Sequence, residues 1–198
     1  MTALREQLAA REEDVQRLRT DLAELAHHDA LTGALSRRIL VEALEVELLR
    51  VRRTGHPLCF AIIDLDHFQA VNAHFGEAVG DLVLKAVAHS GLTFLRSMDR
   101  FGRLGGEEFG ILMPSTWLDS ATTAIMRLHA CVAACDWSGM TQGMPVTFSA
   151  GLTTNAPGDT AGHVLLRAED ALLQAKLDGR NRTVVLEQPL PDMVMTDE

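Results

Sequence analysis

The sequence predicts an α+β domain: a central, mainly antiparallel sheet flanked by helices, preceded by an N-terminal coiled-coil helix. Three observations carry that prediction. Leu58-Cys59-Phe60-Ala61-Ile62-Ile63 is a continuous apolar run, as expected of a strand buried on both faces. Arg100 to Met113 reads as two strands meeting at Gly105-Gly106, because glycine enters the positive-φ conformations of a tight hairpin turn without a Cβ penalty. Helical periodicity fills the intervals, giving the order β-α-α-β-β-α-β-α-β once the N-terminal segment is set aside.

The elements follow in chain order. Leu4, Leu8, Arg11, Val15, Leu18, Leu22 and Leu25 keep an unbroken 4-3-4-3-4-3 spacing with one polar interruption, which is a heptad seam. A single amphipathic helix packed on its own domain would share the pattern. The narrow stripe, with charged or small residues off it, favours a parallel dimer. Asp29 to Arg38 breaks the heptads as a turn and opens a helix running to about Arg53, ended by Thr54-Gly55-His56-Pro57. After the apolar strand, which stops at Asp64-Leu65-Asp66, a helical segment spans about His67 to His74. Gly76 to Gly80 then reads as a turn and Asp81 to Ser97 as a helix. Beyond the hairpin, Leu118 to Ala134 is helical, Val146 to Leu152 alternates like a strand, and Asn155 to Asp159 is a loop. His163 to Asp178 is a helix and Val184 to Leu186 a short last strand. The domain limits expected are residues 1–28 for the signalling helix, 29–188 for the globular domain and 189–198 for a frayed polar tail.

Composition narrows the function. A formal net charge of −9 argues against broad nucleic-acid or anionic-membrane binding. No apolar run reaches the length of a membrane span and no signal-peptide pattern opens the chain, so a cytoplasmic location is expected. Cys59, Cys131 and Cys135 form no CxxC pair and read as buried thiols. The eight histidines show no HxxxH or HExxH pattern, and no GxxxxGK[ST] stretch exists.

The chemistry-bearing residues lie at two strand ends. A buried strand finishing in Asp64 and Asp66 brings carboxylates to the edge of a core, where they need partners. If the hairpin neighbours that strand, Asp64 converges with one of Glu107 and Glu108, which strand alternation places on opposite faces. The Leu65 carbonyl adds another oxygen, and bare Gly105 and Gly106 admit a phosphate or flat ligand. Such an incompletely saturated oxygen set suits Mg²⁺ that also binds substrate phosphates. Taken alone, Gly-Gly-Glu-Glu reads equally as a surface hairpin with solvated acids.

With both parts in view, the chain resembles the GGDEF family of diguanylate cyclases. The resemblance runs from Asp29 to about Asn181 on several pieces in fixed order: Asp29-x-Leu31-Thr32-Gly33-x-Leu35-x-Arg37-Arg38, Asp64-Leu65-Asp66-x-Phe68, Asn72 and Gly80-Asp81. Arg103-x-Gly105-Gly106-Glu107-Glu108-Phe109, Ser149-x-Gly151 and Ala175-Lys176-x-x-Gly179-Arg180-Asn181 complete it. It implies a fold like that of nucleotidyl cyclases and polymerase palms, and condensation of two GTP into cyclic di-GMP by facing domains of a homodimer. Carried over by position, it makes Asp64, the Leu65 carbonyl, Glu107 and Glu108 the ligands of two Mg²⁺ ions, with Mn²⁺ able to substitute. Glu107 also accepts the ribose 3′-hydroxyl proton beside Gly105 and Gly106.

Asn72 and Asp81 become the guanine readers, Lys176 and Arg180 the triphosphate cations, and the backbone of Asp66, His67 and Phe68 a phosphate cradle. On their own, Asn72 and Asp81 would read as helix caps, and Lys176 with Arg180 as a solvated helix end. Arg96-Ser97-Met98-Asp99 matches the family's RxxD product-inhibition site, with five residues between Asp99 and Gly105; a surface ion pair is the plainer reading. Departures stand at Gln69, Ala73, Glu77 and Leu173, where the family usually has Lys, Asp, His and Tyr. A cation missing at Gln69 is worth about 2.7–4 kcal/mol of transition-state stabilisation by analogy with oxyanion donors, which predicts slow turnover. A GTP- or cyclic di-GMP-binding module without turnover is the rival expectation.

Overall fold

The computed structural model describes Arg11 and residues 27–188. The heptad helix and the tail therefore fall outside the described residues, apart from Arg11, His27 and His28. The domain is a six-stranded sheet in the order β1-β3-β4-β2-β5-β6, where β1 is Leu35–Ser36, β2 Leu58–Leu65, β3 Arg100–Gly105, β4 Glu108–Pro114, β5 Phe148–Thr154 and β6 Thr183–Val185. The three central pairings are antiparallel, and the two short edge strands β1 and β6 pair parallel.

Strand β2 is buried at all eight positions because helices cover both faces of the sheet. Its even residues Leu58, Phe60 and Ile62 pack with α1 (Arg37–Thr54) and α6 (Ala161–Leu177) through Leu40, Leu44, Ala168 and Leu172. Odd residues Cys59, Ala61 and Ile63 pack with α3 (Glu77–Phe94) and α4 (Leu118–Ala133) through Val83, Val87, Ile125 and Leu128. Helix α6 lies almost on the backbone of β5. A Cβ at Gly151 would stand 2.1 Å from Ala168 O and 2.3 Å from Leu172 N, so only glycine permits this approach.

Several boundaries differ from expectation, each for a visible reason. The β2 ladder continues through Asp64 and Leu65, which pair with Glu108, Ser149 and Phe148, so Asp64 sits inside the strand. The expected turn from Gly76 to Gly80 is mostly helix: α2 (Phe68–Phe75) ends at Gly76 and α3 starts at Glu77. Gly80 marks close packing of the two helices, since a Cβ there would fall 1.8 Å from Asn72 Oδ1. Strand β5 begins two residues later than expected and runs on through Thr153 and Thr154, which complete the ladder with Phe60 and Cys59. Two small elements lack any sequence signal: the two-residue β1, and α5 (Ser138–Thr141), seated beside the Trp137 indole, which donates to Val132 O at 3.1 Å. All three cysteines are free, and burial pushes the Cys59 thiol up to about 11. No helix among the described residues is long and apolar enough to cross a membrane.

Candidate active site

The even face of β2, apolar from Leu58 to Ile62, ends in Asp64, which alternation directs toward α6. There Lys176 Nζ lies 2.9 Å from Asp64 Oδ2. Glu108 is the directly opposed residue on β4. Its carboxyl is raised above the usual range, first by burial and then by the negative charge of Asp64, against a smaller opposing pull from Lys176. Opposed like charges at this spacing repel. A divalent cation would relieve the repulsion.

Glu107 does not sit on the strand as expected. Gly105 closes β3 opposite Glu108, so the turn is Gly106-Glu107 and the register shifts between Arg103 and Gly105. Gly105 at φ 151° and Gly106 at φ 46° hold a bend that side chains disfavour, and nothing lies within 4 Å of either missing Cβ. The bend is fastened from both sides. Leu65 N–H points to Glu107 O at 3.4 Å, while Arg103 donates Nε at 3.0 Å and Nη2 at 2.7 Å to Gly106 O. Arg103 Nη1 also reaches both Asp29 oxygens at 3.2 and 3.3 Å. Asp29 in turn accepts from the Thr32 N–H and hydroxyl. Burial alone would raise its carboxyl, but these bonds and Arg103 hold it below the usual range.

These parts surround a cleft of about 370 Å³ whose walls are the β2 end from Asp64 to Asp66, the start of α2 from His67 to Ala70, Glu107, Lys176 and Arg180. A volume of this order suits a small ligand. After His67 enters the left-handed region at φ 57°, Ala70 N–H turns back to His67 O at 2.8 Å, which leaves the Phe68 and Gln69 N–H groups at the start of α2 without intrahelical acceptors. The cradle is smaller than expected, because Asp66 N–H is already spent on Thr147 O at 2.9 Å. Arg180 also differs from expectation: α6 ends at Leu177, and Arg180 stands beyond it with φ 63°. Gly179 and Asn181 flank it at φ 109° and 47°. Non-glycine residues there cost of order 1–3 kcal/mol each and persist where the surroundings over-determine them.

Asn72 and Asp81 lie apart from the lining of this cleft, at the α2–α3 junction. Asn72 is one turn along α2 from Phe68, and its Oδ1 is buried with no hydrogen-bond partner among the described residues. An orphaned acceptor of this kind fits a ligand that brings its own N–H donors. Asp81 is exposed on the second turn of α3.

The donor set fits hard divalent cations: the Asp64, Glu107 and Glu108 carboxylates and the Leu65 carbonyl are all oxygen. Among the described residues no three acidic or imidazole groups are already gathered for a metal, and the Lys176 ammonium holds Asp64 instead.

Arg96 and Asp99 border a second cleft, of about 170 Å³. The Arg96 N–H donates to Asp99 Oδ2 at 3.0 Å, and burial raises the Asp99 carboxyl. Arg127 of α4 lines the same cleft with its guanidinium 4.6 Å over the Phe94 ring. Sequence reading missed Arg127, since no local motif ties it to a box 28 residues earlier on another element.

Comparison with known proteins places the chain in a family. The family described as "Diguanylate cyclase, GGDEF domain" matches residues 26–182. The chain is 37% identical over 188 residues to Diguanylate cyclase DgcP of Pseudomonas aeruginosa, covering 93% of this chain but 28% of that protein. Among solved structures it is similar to diguanylate cyclase SiaD of Pseudomonas aeruginosa in complex with its activator SiaC. That likeness has a TM-score of 0.77 and 34% identity, over 92% of this chain and 71% of that one. The GGDEF domain of DgcB from Caulobacter crescentus in complex with c-di-GMP matches with a TM-score of 0.76 and 27% identity, over 80% and 92%.

Proposed function

The chain belongs to the GGDEF-domain family of diguanylate cyclases, and from that premise we propose that it condenses two GTP into cyclic di-GMP and two pyrophosphates. The observation that carries the reading is one cleft lined by Asp64, Glu107, Lys176 and Arg180 beside an open glycine bend, with Glu108 directly opposite Asp64 in the sheet. The c-di-GMP bound to the similar DgcB domain supports it.

In this reading Lys176, Arg180 and the α2 N–H groups hold the triphosphate, and Asn72 with Asp81 receives the guanine N1–H and N2–H₂ donors. Asp64, Leu65 O, Glu107 and Glu108 would hold two Mg²⁺ or Mn²⁺ ions, which would supply charge neutralisation at the phosphates. Glu107 takes the ribose 3′-hydroxyl proton as that oxygen bonds to the α-phosphorus and the bond to pyrophosphate breaks. One domain presents one hydroxyl and one α-phosphate, so two domains face each other and exchange them. The heptads of residues 1–28 raise the effective concentration of that pairing. Arg96, Asp99 and Arg127 form the product-inhibition site.

A second reading, a module that binds GTP without turning it over, is favoured by one observation: neutral Gln69 lines the cleft where the family carries Lys. Incubation with GTP and Mg²⁺ across a dilution series, followed by product chromatography, separates the two. Cyclic di-GMP formation with specific activity falling on dilution is expected. GTP binding without product selects the second reading.

A further inference from the structure

We propose that Asp66 meets neither metal nor substrate, and instead pegs the turn after α6 so that the Arg180 guanidinium stays in the cleft. The inference deepens the reading of the site given above and rests on it. Asp66 is 8% exposed, and its carboxylate is consumed within the protein. Oδ1 accepts from Ser149 Oγ at 2.7 Å; Oδ2 accepts from Thr147 Oγ1 at 2.7 Å and from the Asn181 N–H at 3.0 Å. Three of roughly four lone-pair sites are thus taken.

The Asn181 bond explains an otherwise costly backbone. Gly179, Arg180 and Asn181 are three consecutive residues with positive φ, two of them carrying side chains. Arg180 N–H donates to Ala175 O at 3.0 Å, and Arg182 Nε donates to Arg180 O at 3.1 Å. Those two bonds tie the turn to α6 and to itself, and Ala150 N–H, donating to Arg182 O at 2.8 Å, ties its exit to β5. Asp66 supplies the contact from 115 residues away that references the turn to the end of β2. That strand end also carries Asp64. The arginine proposed for phosphate and the carboxylate proposed for metal are therefore set on one rigid piece, with the peg two residues from the ligand.

The test separates a hydrogen-bond acceptor from a charge. Asp66→Ala frees the turn, and is expected to raise the KM for GTP by about tenfold or more while changing kcat by less than about threefold. In an Arg180→Ala background the same change adds less than about twofold, because the residue it positions is gone. Asp66→Asn keeps one oxygen for the Asn181 N–H, while the Ser149 hydroxyl rotates to accept, so it stays within about threefold of the native enzyme. Hydrogen exchange of the amides of residues 179–182 quickens by about tenfold in Asp66→Ala, with β2 and β4 still protected. Should Asp66→Ala not fold, Asp66→Ser carries the same expectations, since it keeps a polar group beside Thr147 and Ser149 but is too short to reach Asn181. Additive losses with Arg180→Ala, an Asp66→Asn enzyme as impaired as Asp66→Ala, or unchanged exchange at 179–182 would each overturn the proposal. If the native protein forms no cyclic di-GMP, the functional reading falls, and the exchange measurement still decides the peg.

Discussion

Gly151→Ala places one methyl group where α6 leaves no room. The new Cβ would meet Ala168 O at 2.1 Å and Leu172 N at 2.3 Å, and both are backbone atoms that no rotamer change can move aside. To restore an ordinary 3.4 Å contact, α6 must retreat by about 1.3 Å, and a gap of that size forfeits a quarter to a half or more of the dispersion energy along the contact. Overpacking of this kind costs about 1–3 kcal/mol, and the rigidity of the obstacle puts it at the upper end. For a domain of this size the fall in Tm is about 6–12 °C. The retreating helix also carries Lys176 away from Asp64, a pair now at 2.9 Å. A displacement near 1 Å at a reacting centre costs on the order of 100-fold in turnover. The assays are thermal unfolding followed by circular dichroism and product formation well below the lowered Tm. Gly162→Ala in the first turn of α6 is the control, because its Cβ meets only Thr160 Oγ1 at 3.7 Å. A Gly151→Ala protein with native Tm and native turnover would refute the claim that this glycine sets the distance between helix and sheet.

Three further outcomes are expected. Glu107→Gln lowers turnover by about 10²–10⁴-fold by removing the proton acceptor, while Tm moves by no more than about 2 °C because the residue sits in an open turn. His129 stacks on Phe148 at 3.9 Å between ring centroids and pairs with Thr183 Oγ1 at 3.2 Å, and burial lowers its pKa below 6.5 against a smaller upward pull from Asp66. The unfolded chain therefore binds the proton more tightly, so stability is lost as pH falls below 6.5 toward the folded value, by up to about 1.4 kcal/mol per pH unit. Urea midpoints at pH 7.5 and 5.5, compared with His129→Gln, read that slope, and an equal slope in the variant would exclude His129 as its source. Arg127→Ala weakens inhibition by added cyclic di-GMP by about tenfold or more, the worth of a hydrogen bond to a charged group, without changing initial rates; undiminished inhibition would remove Arg127 from that cleft's function.

Much of this arrangement is legible in the sequence because it rests on local signals. The unbroken apolar run of β2 announces a strand covered on both sides, and the carboxylates at its end announce chemistry. The hairpin is equally clear, yet its register is not: whether Gly105 closes a strand or opens a turn depends on the pairing with Glu108, which no spacing encodes. Gly80 misleads for a related reason. A helix interior avoids glycine unless something occupies the place of its Cβ, and here that something is Asn72 from a different helix. Asp66 reads as a strand-end carboxylate in need of a partner, its backbone part of a phosphate cradle, and the partners that claim it are 81 to 115 residues away. Contacts between distant segments are what periodicity cannot supply.

The Arg103 guanidinium has a mechanical consequence. One cation touches both the loop anchored by Asp29 and the carbonyl of Gly106, and Ser36 N–H joins that loop to His27 O at 2.9 Å. From His27 to the bend bearing Glu107 there thus runs a continuous chain of hydrogen bonds through the Asp29 loop and Arg103. A displacement at residue 27 would be passed along these hydrogen bonds to the bend that carries Glu107, the acid proposed to accept the proton.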